Sequence, residues 1–167
     1  MEGGYQPTTR KRFMISRPYI AQWQKNSPWK EFAQVEQDLI ISRALVAIFS
    51  DDFLRENLAF RGGTALHKLY LDPAPRYSED IDLVQIKEGP IKPIMKRIGE
   101  VITFFEEDRR TQVKGHGAKA LYRFTSEYEG ERRRLKLEST VKNILMYWNG
   151  LVFLLKSIIP GFQGKQI

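Results

Sequence analysis

Asp80 and Asp82, one residue apart, follow a Gly62-Gly63 pair in the stretch FRGGTALHKLYLDPAPRYSEDIDLVQI. On a β-strand, residues two apart point to the same side, so this spacing presents both carboxylates to one face while Ile81 and Leu83 turn to a core. Two carboxylates held that close repel each other unless a cation sits between them. A hard divalent cation, Mg²⁺ or Mn²⁺, takes a few carboxylate oxygens together with phosphate oxygens, which suits chemistry on a nucleoside triphosphate. Gly62-Gly63 ahead of a helix offers bare backbone N–H groups and a positive dipole end to a phosphate. Thr64 stands where it can cap that helix beside the phosphates, and Arg76 and Ser78 add a charged fork and a hydroxyl. A third carboxylate is wanted from a neighbouring strand. Glu138, closing the alternating run Leu135-Lys136-Leu137-Glu138, is the candidate. Alone, an Asp-x-Asp is commonly a solvated strand end and a Gly-Gly commonly a turn; in the order strand, helix, strand they point to a phosphoryl-transfer site. His67 and His116, the only two histidines, fall in no carboxylate-histidine pattern and receive no role.

The elements that must hold these groups follow from periodicity. Pro18, Pro28 and the Trp23/Trp29 pair mark an irregular or short-helical lead-in. From Glu31, apolar residues recur at three and four: Phe32, Val35, Leu39, Val46 and Phe49, with Ser42 in the same row and Ala44, Leu45 and Ile48 widening the face. Asp51 and Asp52 break that helix, and Leu58-Ala59-Phe60 reads as a short strand entering the glycine turn. Ala65, Leu66, Leu69 and Tyr70 form a helical face that Pro73 and Pro75 end. Residues 81–86 read as a strand, and Ile94, Ile98, Val101, Ile102 and Phe105 as a second amphipathic helix. Strands around two glycine turns follow, with Tyr122 and Phe124 on one face of one and Leu135 and Leu137 on one face of the next. The expected class is α+β with a mixed sheet flanked by helices.

Composition narrows the function. A chain of 167 residues with 42% apolar content can bury one modest core. The absence of cysteine excludes a disulfide framework and thiolate metal sites, while a hard divalent cation bound by carboxylates stays open. No apolar run reaches the roughly 18 residues of a membrane span, and the first residues lack the apolar core of a signal peptide, so a soluble cytoplasmic protein with no membrane partner is expected. The net charge of +7 is unevenly spread: residues 1–30 carry six Lys/Arg against one acid and residues 107–142 ten against six, while residues 31–83 carry ten acids against five bases. A basic frame around an acidic centre suits a polyanionic ligand approaching a metal site, and ordinary solvated charge accounts for the balance alone equally well.

Three segments carry a family resemblance: Gly62-Gly63-Thr64-Ala65-Leu66, then Arg76-Tyr77-Ser78-Glu79-Asp80-Ile81-Asp82-Leu83, and upstream Gln34-Val35-Glu36-Gln37-Asp38-Leu39. Over about residues 15–138 the chain resembles the nucleotidyltransferase toxins of the AbiEii/AbiGii abortive-infection family, a branch of the DNA polymerase beta superfamily. The resemblance implies that Gly62 and Gly63 open a triphosphate site, that Asp80 and Asp82 bind Mg²⁺ or Mn²⁺, and that Glu138 is the third acid. It implies transfer of a nucleotide from a nucleoside triphosphate onto an RNA acceptor such as tRNA, a cognate antitoxin as partner, and a place in phage defence. Sixteen residues separate Gly63 from Asp80, a longer gap than in many polymerase-like transferases but one that suits this branch.

After Glu138 the resemblance lapses. The family pattern would continue Glu-Ile-Asn and on into a helical region, whereas this chain reads Ser139-Thr140-Val141-Lys142 and ends at Ile167. Restoring one lost base in the codons for Glu138 to Val141 gives Glu-Ile-Asn-Cys and then a family-like run. Residues 1–138 are therefore expected to be a partial nucleotidyltransferase domain, lacking the C-terminal helical region, and residues 139–167 a frameshifted tail. Two other readings stay open. A truncated, inactive remnant would bind triphosphate without transferring it. A non-catalytic nucleic-acid-binding module would explain the basic frame, with Arg132-Arg133-Arg134 on phosphates, but not the paired aspartates.

Overall fold

The computed structural model describes residues 15–71, 76–105, 109–115 and 117–141. Pro73, Pro75, His116 and residues 142–167 of the expected tail lie outside them. The order is α1 (Arg17–Gln24), α2 (Phe32–Ser50), α3 (Asp52–Asn57), β1 (Leu58–Arg61), α4 (Gly62–Leu69), β2 (Asp80–Gln85), α5 (Ile91–Val101), β3 (Arg110–Lys114), β4 (Gly117–Thr125) and β5 (Arg132–Val141). The described strands form one five-stranded sheet in the order β1-β2-β5-β4-β3. It is mixed, as expected: β2 and β5 run parallel and every other neighbouring pair antiparallel. None of the described helices is long and apolar enough to cross a membrane.

Strand alternation divides the sheet into two unlike faces. Ile81 and Leu83 on β2, Tyr122 and Phe124 on β4, and Leu135 and Leu137 on β5 are buried together against Ile41 and Ile48 of α2 and Ile94 and Ile98 of α5. The opposite face carries Asp80, Asp82, Lys136 and Glu138, all partly exposed. Burying one face fixes the register, because a one-residue slip would exchange the two sets. β5 continues past Glu138, and Ser139 and Thr140 pair with Leu83 and Val84 of β2.

The core face of α2 includes Val35, Ala44, Ile48 and Phe49, as expected, but differs from the expected one elsewhere. Phe32 and Val46 are 40% and 58% exposed, while Ala33, Ile40 and Ile41 are buried. The helix is apolar around most of its circumference, so more than one row of three-and-four spacing exists, and the sheet selected the row containing Ile41, Ala44 and Ile48. Phe32 instead stacks on Tyr128 at the margin, ring centroids 4.3 Å apart. Asp51 ends α2 and begins another helix: its Oδ1 accepts from Leu54 N at 3.0 Å, capping α3, which periodicity alone did not predict.

Three consecutive polar residues of α2 are buried, and each clamps a different part of the fold. Glu36 accepts from Ser126 Oγ at 2.6 Å and Glu127 N at 2.8 Å, fixing the β4–β5 turn. The Gln37 amide donates to the carbonyls of Glu79 at 3.4 Å and Arg134 at 3.3 Å, bridging the chain just before the aspartates of β2 and the corresponding level of β5. Asp38 accepts from Trp23 Nε1 at 2.8 Å and Lys68 Nζ at 2.7 Å, joining α1, α2 and α4. The segment 34–39 singled out by resemblance thus braces the structure from behind the polar face. Asp38→Ala leaves the Lys68 ammonium buried without its carboxylate and is expected to cost about 3 kcal/mol in urea unfolding. Adding Lys68→Met to it should recover part of that loss; an Asp38→Ala protein as stable as the parent would show that the pair is dispensable.

Candidate functional site

Asp80 and Asp82 leave β2 on the polar face, and the parallel register sets Asp82 opposite Glu138 and Asp80 opposite Lys136. On the other side of β2, Asp82 stands opposite Arg61, the last residue of β1. The chain then turns directly into α4. Gly62 takes φ +83°, a left-handed conformation that favours glycine, and a Cβ there would run into the Asp82 carboxylate. A Cβ on Gly63 would lie 3.2 Å from both Arg76 Nη2 and Ser78 Oγ. The glycine pair therefore has Asp82 against one residue and Arg76 and Ser78 against the other, so the residues chosen from the sequence converge.

Thr64 does not cap α4 as expected. The helix begins at Gly62 with Arg61 as its cap, because the left-handed glycine already closes the turn. Thr64, fully buried in the first turn, donates from Oγ1 to the Asp80 carbonyl at 2.5 Å and lies 2.9 Å from Ser78 Oγ. Its hydroxyl ties α4 to the start of β2, so it acts on the site by fixing the distance between the helix end and the aspartates.

Two basic residues missed by sequence reasoning sit among the carboxylates. Lys136 Nζ forms an ion pair with Asp80 and is 3.7 Å from Glu138 Oε1, and Lys119 of β4 reaches Glu138 Oε1 at 3.4 Å. Alternation puts Lys136 on the strand face of Glu138, but only the pairing of β5 with β2 brings it to Asp80. The hydrogen bond that Lys136 donates to the Asp80 carboxylate raises the proton affinity of Lys136, and burial raises that of Asp82, with the Asp80 charge adding to it and Arg61 opposing. Arg61 Nε is buried with no hydrogen-bond partner.

Among the described residues, no three carboxylate or histidine groups are gathered closely enough to enclose a metal ion. The donor set nevertheless fits a hard cation. Three carboxylates share one face, burial and then the charges of Asp80 and Glu138 disfavour the ionised form of Asp82, and Lys136 already brings positive charge to two of them. An unpartnered guanidinium nitrogen and the amino end of α4 beside them suit phosphate oxygens. His67 packs edge-on against Trp29, centroids 5.4 Å apart, and burial lowers its proton affinity.

The family model for the nucleotidyl transferase AbiEii toxin, type IV TA system, matches residues 43–148. No curated protein matches the chain. Among solved structures, the chain is similar to JHP933 from Helicobacter pylori, with 20% identity over 78% of this chain and 47% of that one at a TM-score of 0.46. It is also similar to MenT4, a nucleotidyltransferase toxin from Mycobacterium tuberculosis H37Rv, with 18% identity over 76% of this chain and 43% of that one at a TM-score of 0.43. The chain spans less than half the length of either structure.

Proposed function

We propose that this chain, which belongs to the family of nucleotidyl transferase AbiEii toxins, moves a nucleotidyl group from a nucleoside triphosphate to a hydroxyl of an RNA acceptor such as a tRNA. The observation that carries the reading is the β2–β5 register, which sets Asp80, Asp82 and Glu138 on one sheet face beside the start of α4. Those carboxylates would hold Mg²⁺ or Mn²⁺, which when bound neutralises phosphate charge. The residues of the chain supply the rest. The N–H groups opening α4, with Arg61, Arg76 and Ser78, bind and orient the triphosphate. The acceptor oxygen bonds to the α-phosphorus as the bond from that phosphorus to the β-bridging oxygen breaks. Pyrophosphate leaves with the electron pair, and a carboxylate of the cluster takes the hydroxyl proton. Placement and charge carry such a transfer, so no serine, cysteine or histidine nucleophile is required.

The polar face favours RNA as the acceptor. Arg110 and Lys114 of β3, Lys119 and Arg123 of β4 and Arg132 and Arg134 of β5 share it, with Glu138 the only carboxylate on those three strands there. Arg133 does not join them, contrary to the expected run of three: strand alternation turns it to the other face, where it pairs with Glu129 at 2.6 Å. This basic area leads up to the carboxylates, as a route for a phosphate backbone should. Replacing Arg110 and Arg123 together by Gln is expected to weaken single-stranded RNA binding about tenfold and to lower the slope of log affinity against log salt by about 1.4, at about 0.7 for each phosphate no longer neutralised. Triphosphate affinity should stay within about twofold. An unchanged salt slope would place the RNA elsewhere.

The reaction is tested by incubating the chain with Mg²⁺, RNA and each α-labelled nucleoside triphosphate. Label should enter RNA with the parent chain and not with Asp80→Ala. Triphosphate binding without transfer would favour the inactive remnant, and RNA binding without triphosphate binding the simple nucleic-acid module. The same reading gives the protein a cognate antitoxin and the cytoplasm as its place of action.

A further inference from the structure

The cation inside the carboxylate set is a side chain, and its position has consequences for loading. Lys136 faces Asp80 across the parallel β2–β5 pair, contacts the Asp80 carboxylate and lies 3.7 Å from Glu138. Its side chain is 26% exposed, so its ammonium is partly withdrawn from water as well as paired. The backbone on either side is held: Leu135 and Leu137 are fully buried, and the Gln37 amide holds the Arg134 carbonyl. The strand cannot move away to release the lysine. Only the side chain can swing, over a face that is open to solvent at Lys119 and Glu138.

We propose that Lys136 and a divalent cation compete for the same carboxylate oxygens, so that metal loading requires the ammonium to pass to another anion, the triphosphate. This rests on the reading of Asp80, Asp82 and Glu138 as the cation-binding set. Two positive charges cannot share the Asp80 carboxylate at contact distance without strong repulsion. The ammonium must therefore leave, and leaving costs least when a phosphate is there to receive it. Metal and triphosphate then bind cooperatively, each tightening the other by the same factor. A chain with the three carboxylates and no lysine would take metal readily by itself. With Lys136 present, metal without nucleotide is held weakly, so the transfer site is assembled mainly when its phosphate substrate is present.

The test is Mn²⁺ binding by the full chain at mildly alkaline pH, read from the electron spin resonance signal of the free ion, for the parent and for Lys136→Met. Methionine keeps the length of the side chain and removes the charge. Lys136→Met should bind Mn²⁺ about tenfold or more tightly in the absence of nucleotide, and ATP should then improve Mn²⁺ binding less than it does in the parent. Equal or weaker Mn²⁺ binding by Lys136→Met, with the parent binding normally, overturns the competition and leaves the carboxylate site standing. No Mn²⁺ binding by either protein overturns both. A second measurement needs no variant: acylation of Lys136 in the parent without nucleotide, followed by mass spectrometry, should speed up at Mn²⁺ concentrations that saturate the carboxylate site and displace the ammonium. A labelling rate that Mn²⁺ leaves unchanged would also overturn the proposal.

Discussion

Asp80→Ala and Asp82→Ala are each expected to lower affinity for a Mg²⁺-nucleoside triphosphate by about a hundredfold or more, measured by calorimetry, because Mg²⁺ gives up its water only to a well-matched set of oxygens and one remaining aspartate competes poorly. Equal affinity in the parent and both variants would remove the metal site from these residues. The two substitutions should have opposite effects on the stability of the protein in chelator. Asp80 is the ion-pair partner of Lys136, so Asp80→Ala destabilises. Asp82 has its folded-state pKa raised by burial and by Asp80. The folded state thus binds this proton more tightly than the unfolded state, so stability falls as pH rises from the ordinary value through the raised one, and the cost is complete above it. At neutral pH Asp82→Asn should therefore raise the unfolding midpoint in chelator while losing triphosphate binding. A protein that is stabilised by losing a charged residue has kept that residue for something other than folding.

How far the sequence could be read depended on the kind of signal. Period-two alternation is short-range and strict, so 80–83 and 135–138 showed which carboxylates share a face, and β2 and β5 carry them as that pattern requires. The glycine pair was equally legible, since a left-handed turn leaves few alternatives to glycine at Gly62. Helix periodicity was a weaker guide. α2 offers several apolar rows, and only the sheet it packs on decides between them, which is why Phe32 and Val46 are on the outside. Lys136 and Arg61 were overlooked because a basic residue on a strand ordinarily points into solvent; what brings them to the aspartates is the pairing of β2 with β5 and β1, a long-range fact that no local pattern contains. The buried trio of Glu36, Gln37 and Asp38 has the same origin: their partners lie at Ser126, Arg134 and Lys68, far along the chain.

Gly63→Val separates a phosphate-binding turn from a merely tight one, because Gly62 and Gly63 are constrained in different ways. Gly62 is glycine for its own backbone, with φ +83° and the Asp82 carboxylate in the path of a Cβ, so Gly62→Ala should damage both fold and site. Gly63 carries no such backbone demand. Its neighbours in the Cβ direction are the ends of Arg76 and Ser78, 3.2 Å away, and those side chains can shift to make room. The core face below is untouched, with Ala65 already buried and Thr64 still tied to the Asp80 carbonyl. Valine at Gly63 should therefore leave the protein folded, with an unfolding midpoint within a few degrees of the parent, about what 1 kcal/mol produces in a chain of this size. Its two methyl groups would stand over the N–H groups that open α4 and push Arg76 and Ser78 away from them. A phosphate then loses the backbone approach and its side-chain partners together, and triphosphate affinity should fall by about thirtyfold or more. Circular dichroism and calorimetry on the same preparation decide the matter: a folded Gly63→Val protein that binds triphosphate like the parent would mean that the glycine pair only turns the chain from β1 into α4.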